Sequence, residues 1–154
     1  TPGQFGWVFG LNAAGLIGAG QLNRLVLRHR TPDQVLLTAS LAGVVIAGLM
    51  AVAALTGFGG RWTVLPLLFV LLGSYGFMQG NTMAGALNAD PLRAGSVSAL
   101  MGAASFATGA LASMLAGLLH DGTARPMTLV MAAAITGSAL ALRLMALTPD
   151  RPAS

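Results

Sequence analysis

Side chains able to do chemistry are few in this sequence, and most are amides and hydroxyls. Asn12 sits in the middle of an apolar run, and Ser74, Tyr75, Gln79, Asn81 and Thr82 crowd into nine residues of another. Tyr75, Gln79 and Thr82 fall at i, i+4 and i+7, which places them on one helix face. A polar group at bilayer depth needs a partner or water, so each either bonds a neighbouring helix or faces a wet cavity. Such groups recognise by hydrogen bonding and do not supply a nucleophile and its base. The four carboxylates, Asp33, Asp90, Asp121 and Asp150, fall in polar connections or at the ends of apolar runs, as do His29 and His120. An intramembrane hydrolase would need a base at depth beside a Ser or Asp, so no enzyme is expected. Cys is absent, and the adjacent pair His120 and Asp121 would offer a metal too few ligands, so no metal or cofactor is expected.

These residues are carried by long apolar segments. The 154 residues are 55% hydrophobic and 8% charged, against about 25% charged in soluble domains. The sequence predicts an all-α polytopic membrane protein with five spans, at about 5–22, 35–57, 62–87, 95–119 and 127–147. The fourth is the clearest. Gly95 to Leu119 are 25 residues without a charge, enough to cross about 30 Å of hydrocarbon with some tilt. Within it Ser105, Gly109, Ser113 and Gly117 recur every four residues, preceded by Ser98 and Gly102, while Gly6 and Gly10 form a GxxxG in the first span. In lipid, helices gain from close backbone approach, so these small residues are read as helix-packing surfaces, with a translocation path as the functional alternative.

Charge sets the topology. The net charge of +4 is carried by Arg alone, and its distribution over helix ends is no nucleic-acid patch. Arg24, Arg28 and Arg30 cluster after the first span and act as topology anchors on the cytoplasmic side. With the C-terminus inside, Arg93, Arg143 and Arg151 join them, leaving Arg61 and Arg125 outside. The Gly-rich turn at Gly57 to Arg61 lacks the ending of a phosphate loop. The sequence starts at Thr1 with no signal peptide ahead of the first span, and is read as the C-terminal piece of a longer protein.

The run AGSVSALMG, then GALAS, then GTARPM (Ala94 to Met127) resembles the eleventh helix and following loop of drug/proton antiporters of the bicyclomycin-resistance (Bcr/CflA) type, in the major facilitator superfamily. FGLNAAG with GQLNRLVLR (Phe9 to Arg28) is similar to that family's eighth helix, and GNTMAGAL (Gly80 to Leu87) to its tenth. The order and spacing of these runs span most of the chain. Two departures stand out: GQLNRLVLR lacks the acidic residue of the superfamily's Gly-x-Leu-Ala-Asp-Arg loop, and Gly80-Asn81 stands where relatives usually carry Pro-Asn.

The resemblance implies helices eight to twelve of a twelve-helix transporter in the bacterial inner membrane, with the first seven helices of the same chain as partners. It implies proton-coupled antiport by alternating access, multidrug efflux and hence drug resistance, with small-molecule substrate, protons and lipid bilayer as the other partners. The first, third and fourth spans would wall half a cavity, with Asn12, Tyr75, Gln79, Asn81, Ser105 and Phe106 as contacts. Relatives commonly carry Gln where this chain has Ser105, a shorter polar arm that would enlarge the cavity or alter its hydrogen bonding. The proton-binding group would lie in the missing N-terminal part. Two alternatives stay open: a metabolite or amino-acid exporter of the same superfamily, and a five-helix membrane scaffold that transports nothing.

Overall fold

A computed structural model describes residues 2–147. Five α-helices follow one another: α1 (Pro2–Val26), α2 (Pro32–Thr56), α3 (Arg61–Ala89), α4 (Ala94–Leu118) and α5 (Arg125–Leu147), with a single 3₁₀ turn (Pro91–Arg93) ahead of α4. Their starts and stops have local causes. At α2, Thr31 and Gln34 form a reciprocal capping box and Pro32 occupies the first turn, where its missing N–H costs nothing. At its other end Gly57 closes the helix at φ 72°, and Gly59 and Gly60 continue in the left-handed region at 66° and 52°. Three glycines in that region make the reversal into α3 as tight as it is. Arg61 then stacks over Trp62, 5.5 Å from the ring centroid, where α3 begins.

Short connections make neighbours in sequence run in opposite directions, so α1, α3 and α5 point one way and α2 and α4 the other. Packing follows a different order from the sequence. α2 packs on α3 and on α5, and α1 packs on the flank of α3 rather than on α2. The core lies between α2, α3 and α5: Ala47, Met50, Val64 and Leu71, ringed by Leu67, Leu68, Met131 and Ile135. The fully buried hydroxyls there return their protons to their own helix, Ser40 to the Leu37 carbonyl and Thr128 to that of Arg125, so neither leaves an unpaired donor.

Four of the helices, α2 to α5 (the fourth taken with its 3₁₀ turn), are each long and apolar enough to cross a membrane. α1 has the length, but Asn12, Gln21, Asn23, Arg24 and its several glycines dilute its apolar character. α4 makes slighter contact, with α3 and α5, and none of its residues is buried. The Arg residues fall toward the two ends of the helices. Arg24, Arg28, Arg30, Arg93 and Arg143 lie where α1, α3 and α5 finish, and Arg61 and Arg125 where α3 and α5 begin; Arg151 and Asp150 lie outside the described residues.

Candidate functional site

Three places bring polar side chains together, and the first is the seam between α1 and α3. Here two parallel helices approach closely through small residues. Gly76 faces the Ala19 methyl and the Leu16 carbonyl, leaving a Cβ at Gly76 only 3.0 Å from each, and Gly15 lies under the Phe69 ring. One turn further on, Asn81 donates one amide proton to Asn23 Oδ1 at 3.0 Å and another to its own helix at the Phe77 carbonyl at 2.8 Å. Both asparagines are buried, Asn81 to 4% exposure. In lipid an amide without a partner is costly, and this pair gives each side chain one. Asn12 lies three turns before Asn23 on the same face of α1, and its Oδ1 is buried with no hydrogen-bond partner among the described residues.

The second place is the outer face of α3 with the adjoining α4. Tyr75, Gln79 and Thr82 share one exposed face, Tyr75 at 41% exposure, as their spacing predicts. Asn81 points away from them into the α1 seam. On α4, Ser105 is exposed and Phe106 is exposed to 84%. Thus the six residues expected to line a cavity divide into Asn12 and Asn81 in the α1 and α3 seam, and Tyr75, Gln79, Ser105 and Phe106 on uncovered faces. The expected packing residues all lie on uncovered positions among the described residues. A Cβ at Gly6, Gly10, Gly102, Gly109 or Gly117 would meet nothing within 4 Å, and Ser98 and Ser113 are exposed. Glycines against which other helices press are Gly15, Gly43, Gly76 and, more loosely, Gly80 beside the Asn23 amide.

The third place is a cleft of about 820 Å³ between α1 and α2, backed by α3 and lined by none of those six residues. Leu22 and Val26 form one wall, Val35 and Ala39 the other, and Phe69 and Phe77 the back. Arg30, Gln34 and Thr38 lie toward the end where α1 hands over to α2.

Sequence reasoning placed Asn23 in a polar connection, since Arg24, Arg28 and Arg30 drew the end of the first span back to Leu22. The available signal was its spacing of eleven residues from Asn12, which puts both amides on one face. It also missed Arg125 as a structural contact. Its guanidinium donates to the Ala54 and Leu55 carbonyls, both at 3.3 Å, at the C-terminus of α2. In the loop before it Asp121 accepts from the Thr123 amide and hydroxyl, and those hydrogen bonds, the hydroxyl's first, hold its carboxyl below the usual carboxylate range.

Long apolar helices, packed through glycines and paired amides, define an all-α polytopic membrane protein. Comparison with known proteins adds one relative of note. The chain is similar to a bicyclomycin resistance protein homolog of Haemophilus influenzae, 29% identical over 138 residues, which takes in 90% of this chain and 34% of that protein. The similarity therefore runs well beyond the three motifs, and the chain spans about a third of the length of the curated relative it matches. No family model matches the chain, and no solved structure matches it.

Proposed function

We propose that this chain forms helices eight to twelve of a twelve-helix major facilitator transporter that exports drugs across the bacterial inner membrane in exchange for protons. The observation that carries the reading is the similarity to the bicyclomycin resistance protein homolog along 90% of this chain. The Arg distribution supports a cytoplasmic C-terminus, because clustered Arg favours the inner face. In this reading the uncovered faces of α3 and α4 meet the N-terminal helices. Tyr75, Gln79, Ser105 and Phe106 then contribute hydrogen bonds and an aromatic surface to a central cavity, and alternating access arises as the two halves rock about it. Asp33, Asp90 and Asp121 stand at helix ends or in a loop, so the group that binds the exchanged proton belongs to the N-terminal helices.

The test uses the whole reading frame that contains this chain, expressed in a bacterium stripped of its own exporters. The expected result is bicyclomycin tolerance raised several-fold, abolished by a protonophore. Unchanged tolerance and accumulation across a panel of drugs would remove the reading. Within an active transporter, Ser105→Gln is expected to shift the drug profile, and an unchanged profile would take Ser105 out of the cavity wall.

A further inference from the structure

The cleft between α1 and α2 is built like a slot for a lipid. α1 leans on α3 and α2 leans on α3 and α5, so the two diverge and leave α3 as the floor of an open wedge. Measured along α1 from Leu11 to Val26, its wall is roughly 22 Å long at 1.5 Å per residue. Along α2 from Gln34 to Ala42 it is roughly 12 Å. One leaflet of a hydrocarbon core is about 15 Å deep, so the slot has the depth of a single leaflet.

Its polarity is one-sided. From Leu11 to Val26 and from Val35 to Ala42 the lining is aliphatic, aromatic or small, and its hydroxyls are engaged: Thr38 donates to the Gln34 carbonyl and Ser74 to that of Val70. At the Arg-rich end two side chains keep free donors. The Arg30 guanidinium has no hydrogen-bond or ion-pair partner among the described residues, and Gln34 uses its carbonyl on the Thr31 amide, leaving its NH₂. Asp33, the acid nearest in sequence, makes no ion pair with Arg30, while Arg24 and Arg28 add positive charge at the same end. Unpaired donors under net positive charge at the mouth of an apolar slot suit an anionic headgroup with a hydrocarbon tail.

We propose that this cleft is a binding site for one anionic glycerophospholipid of the leaflet on the Arg-rich side. Its phosphate lies between Arg30 and Gln34, and an acyl chain runs between Val26 and Val35 toward Leu11 and Ala42. The site needs the helices to span a bilayer but does not depend on what the protein transports, so it stands or falls separately from the export reading.

The experiment is native mass spectrometry of the purified, delipidated protein titrated with dioleoyl phosphatidylglycerol or dioleoyl phosphatidylcholine. Phosphatidylglycerol is expected to give one saturable adduct that phosphatidylcholine does not displace. Arg30→Gln should weaken it about tenfold, since a charge-assisted hydrogen bond is worth about 1.5 kcal/mol or more. Gly18→Leu fills the slot from a position where a Cβ meets nothing within 4 Å and should abolish the adduct. Gly48→Leu, equally open but outside the slot, should leave it intact. Equal binding of the two lipids, or an adduct indifferent to both Arg30→Gln and Gly18→Leu, overturns the proposal. A benzophenone amino acid placed at Ala39 reports the occupant in the membrane. Attachment of a phospholipid mass is expected, whereas attachment to another protein segment, or displacement by bicyclomycin alone, overturns the proposal.

Discussion

At the scale of single residues, the α1 and α3 seam is held by one hydrogen bond and by glycines whose missing methyl groups let the helices close, Gly76 among them. Interhelical hydrogen bonds in membranes average about 0.6 kcal/mol and reach about 1.7. A double-mutant cycle of Asn23→Ala and Asn81→Ala, read by denaturant unfolding in detergent, should return a coupling energy in that range. A coupling of zero would mean that the two amides do not meet. Gly76→Ala should be harsher, about 1–3 kcal/mol, because its methyl would press on the Ala19 methyl and on a backbone carbonyl that can yield only if α1 shifts. Gly48→Ala, with open space around it, should cost nothing measurable by the same assay. The sequence could not rank these glycines. Gly76 and Gly102 look alike in composition, and only the partner helix distinguishes a contact from an open position.

At the scale of elements, the ends of α2 and α5 are tied together. The Arg125 guanidinium lies on carbonyls that have no donor inside α2, where the helix dipole also favours a positive charge. Arg125→Gln is expected to lower stability by about 0.5–1 kcal/mol, given its exposure, and to raise hydrogen exchange in the last turn of α2. The loop that delivers it is pH-sensitive. Because Asp121 titrates below its ordinary value, its hydrogen bonds to Thr123 add stability above that value, and the contribution is lost as pH falls through the folded pKa. Faster exchange of the Thr123 amide should therefore emerge only in the acid range, and Asp121→Asn should reproduce much of it near neutral pH. Elements of this kind were partly legible. Apolar length and polar connections placed the helices, and Thr31, Pro32 and Gln34 spell the start of α2. Which helices pair was not, because α2 is apolar on every side and its pattern names no preferred neighbour. For the same reason the α1 and α2 cleft had no signature: its apolar walls look like any lipid-facing surface.

At the scale of the whole molecule, α4 is the helix on which the twelve-helix proposal can be tested. Its four-residue stripe of Ser105, Gly109, Ser113 and Gly117 was legible at once, yet among the described residues its glycines face open space and its serines are exposed. If seven further helices cover it, Gly109→Leu will leave the isolated 154-residue chain as stable as before and will destabilise the full-length transporter by about 1–3 kcal/mol. Equal stability of the variant in both settings would leave the stripe without a protein partner. The packing order of the helices bears on how the protein is made. As the ribosome extends the chain, α1 enters the membrane before α3 exists, so Asn23 does not yet have the amide it meets in the folded protein. The next helix to emerge, α2, is not its partner; the amide that receives Asn23 is synthesised 58 residues later, in α3. Between those two moments α1 is without the helix that, among the described residues, it packs on. The seam therefore closes only when α3 is complete, and a ribosome stalled after α2 would hold α1 with Asn23 still short of its partner.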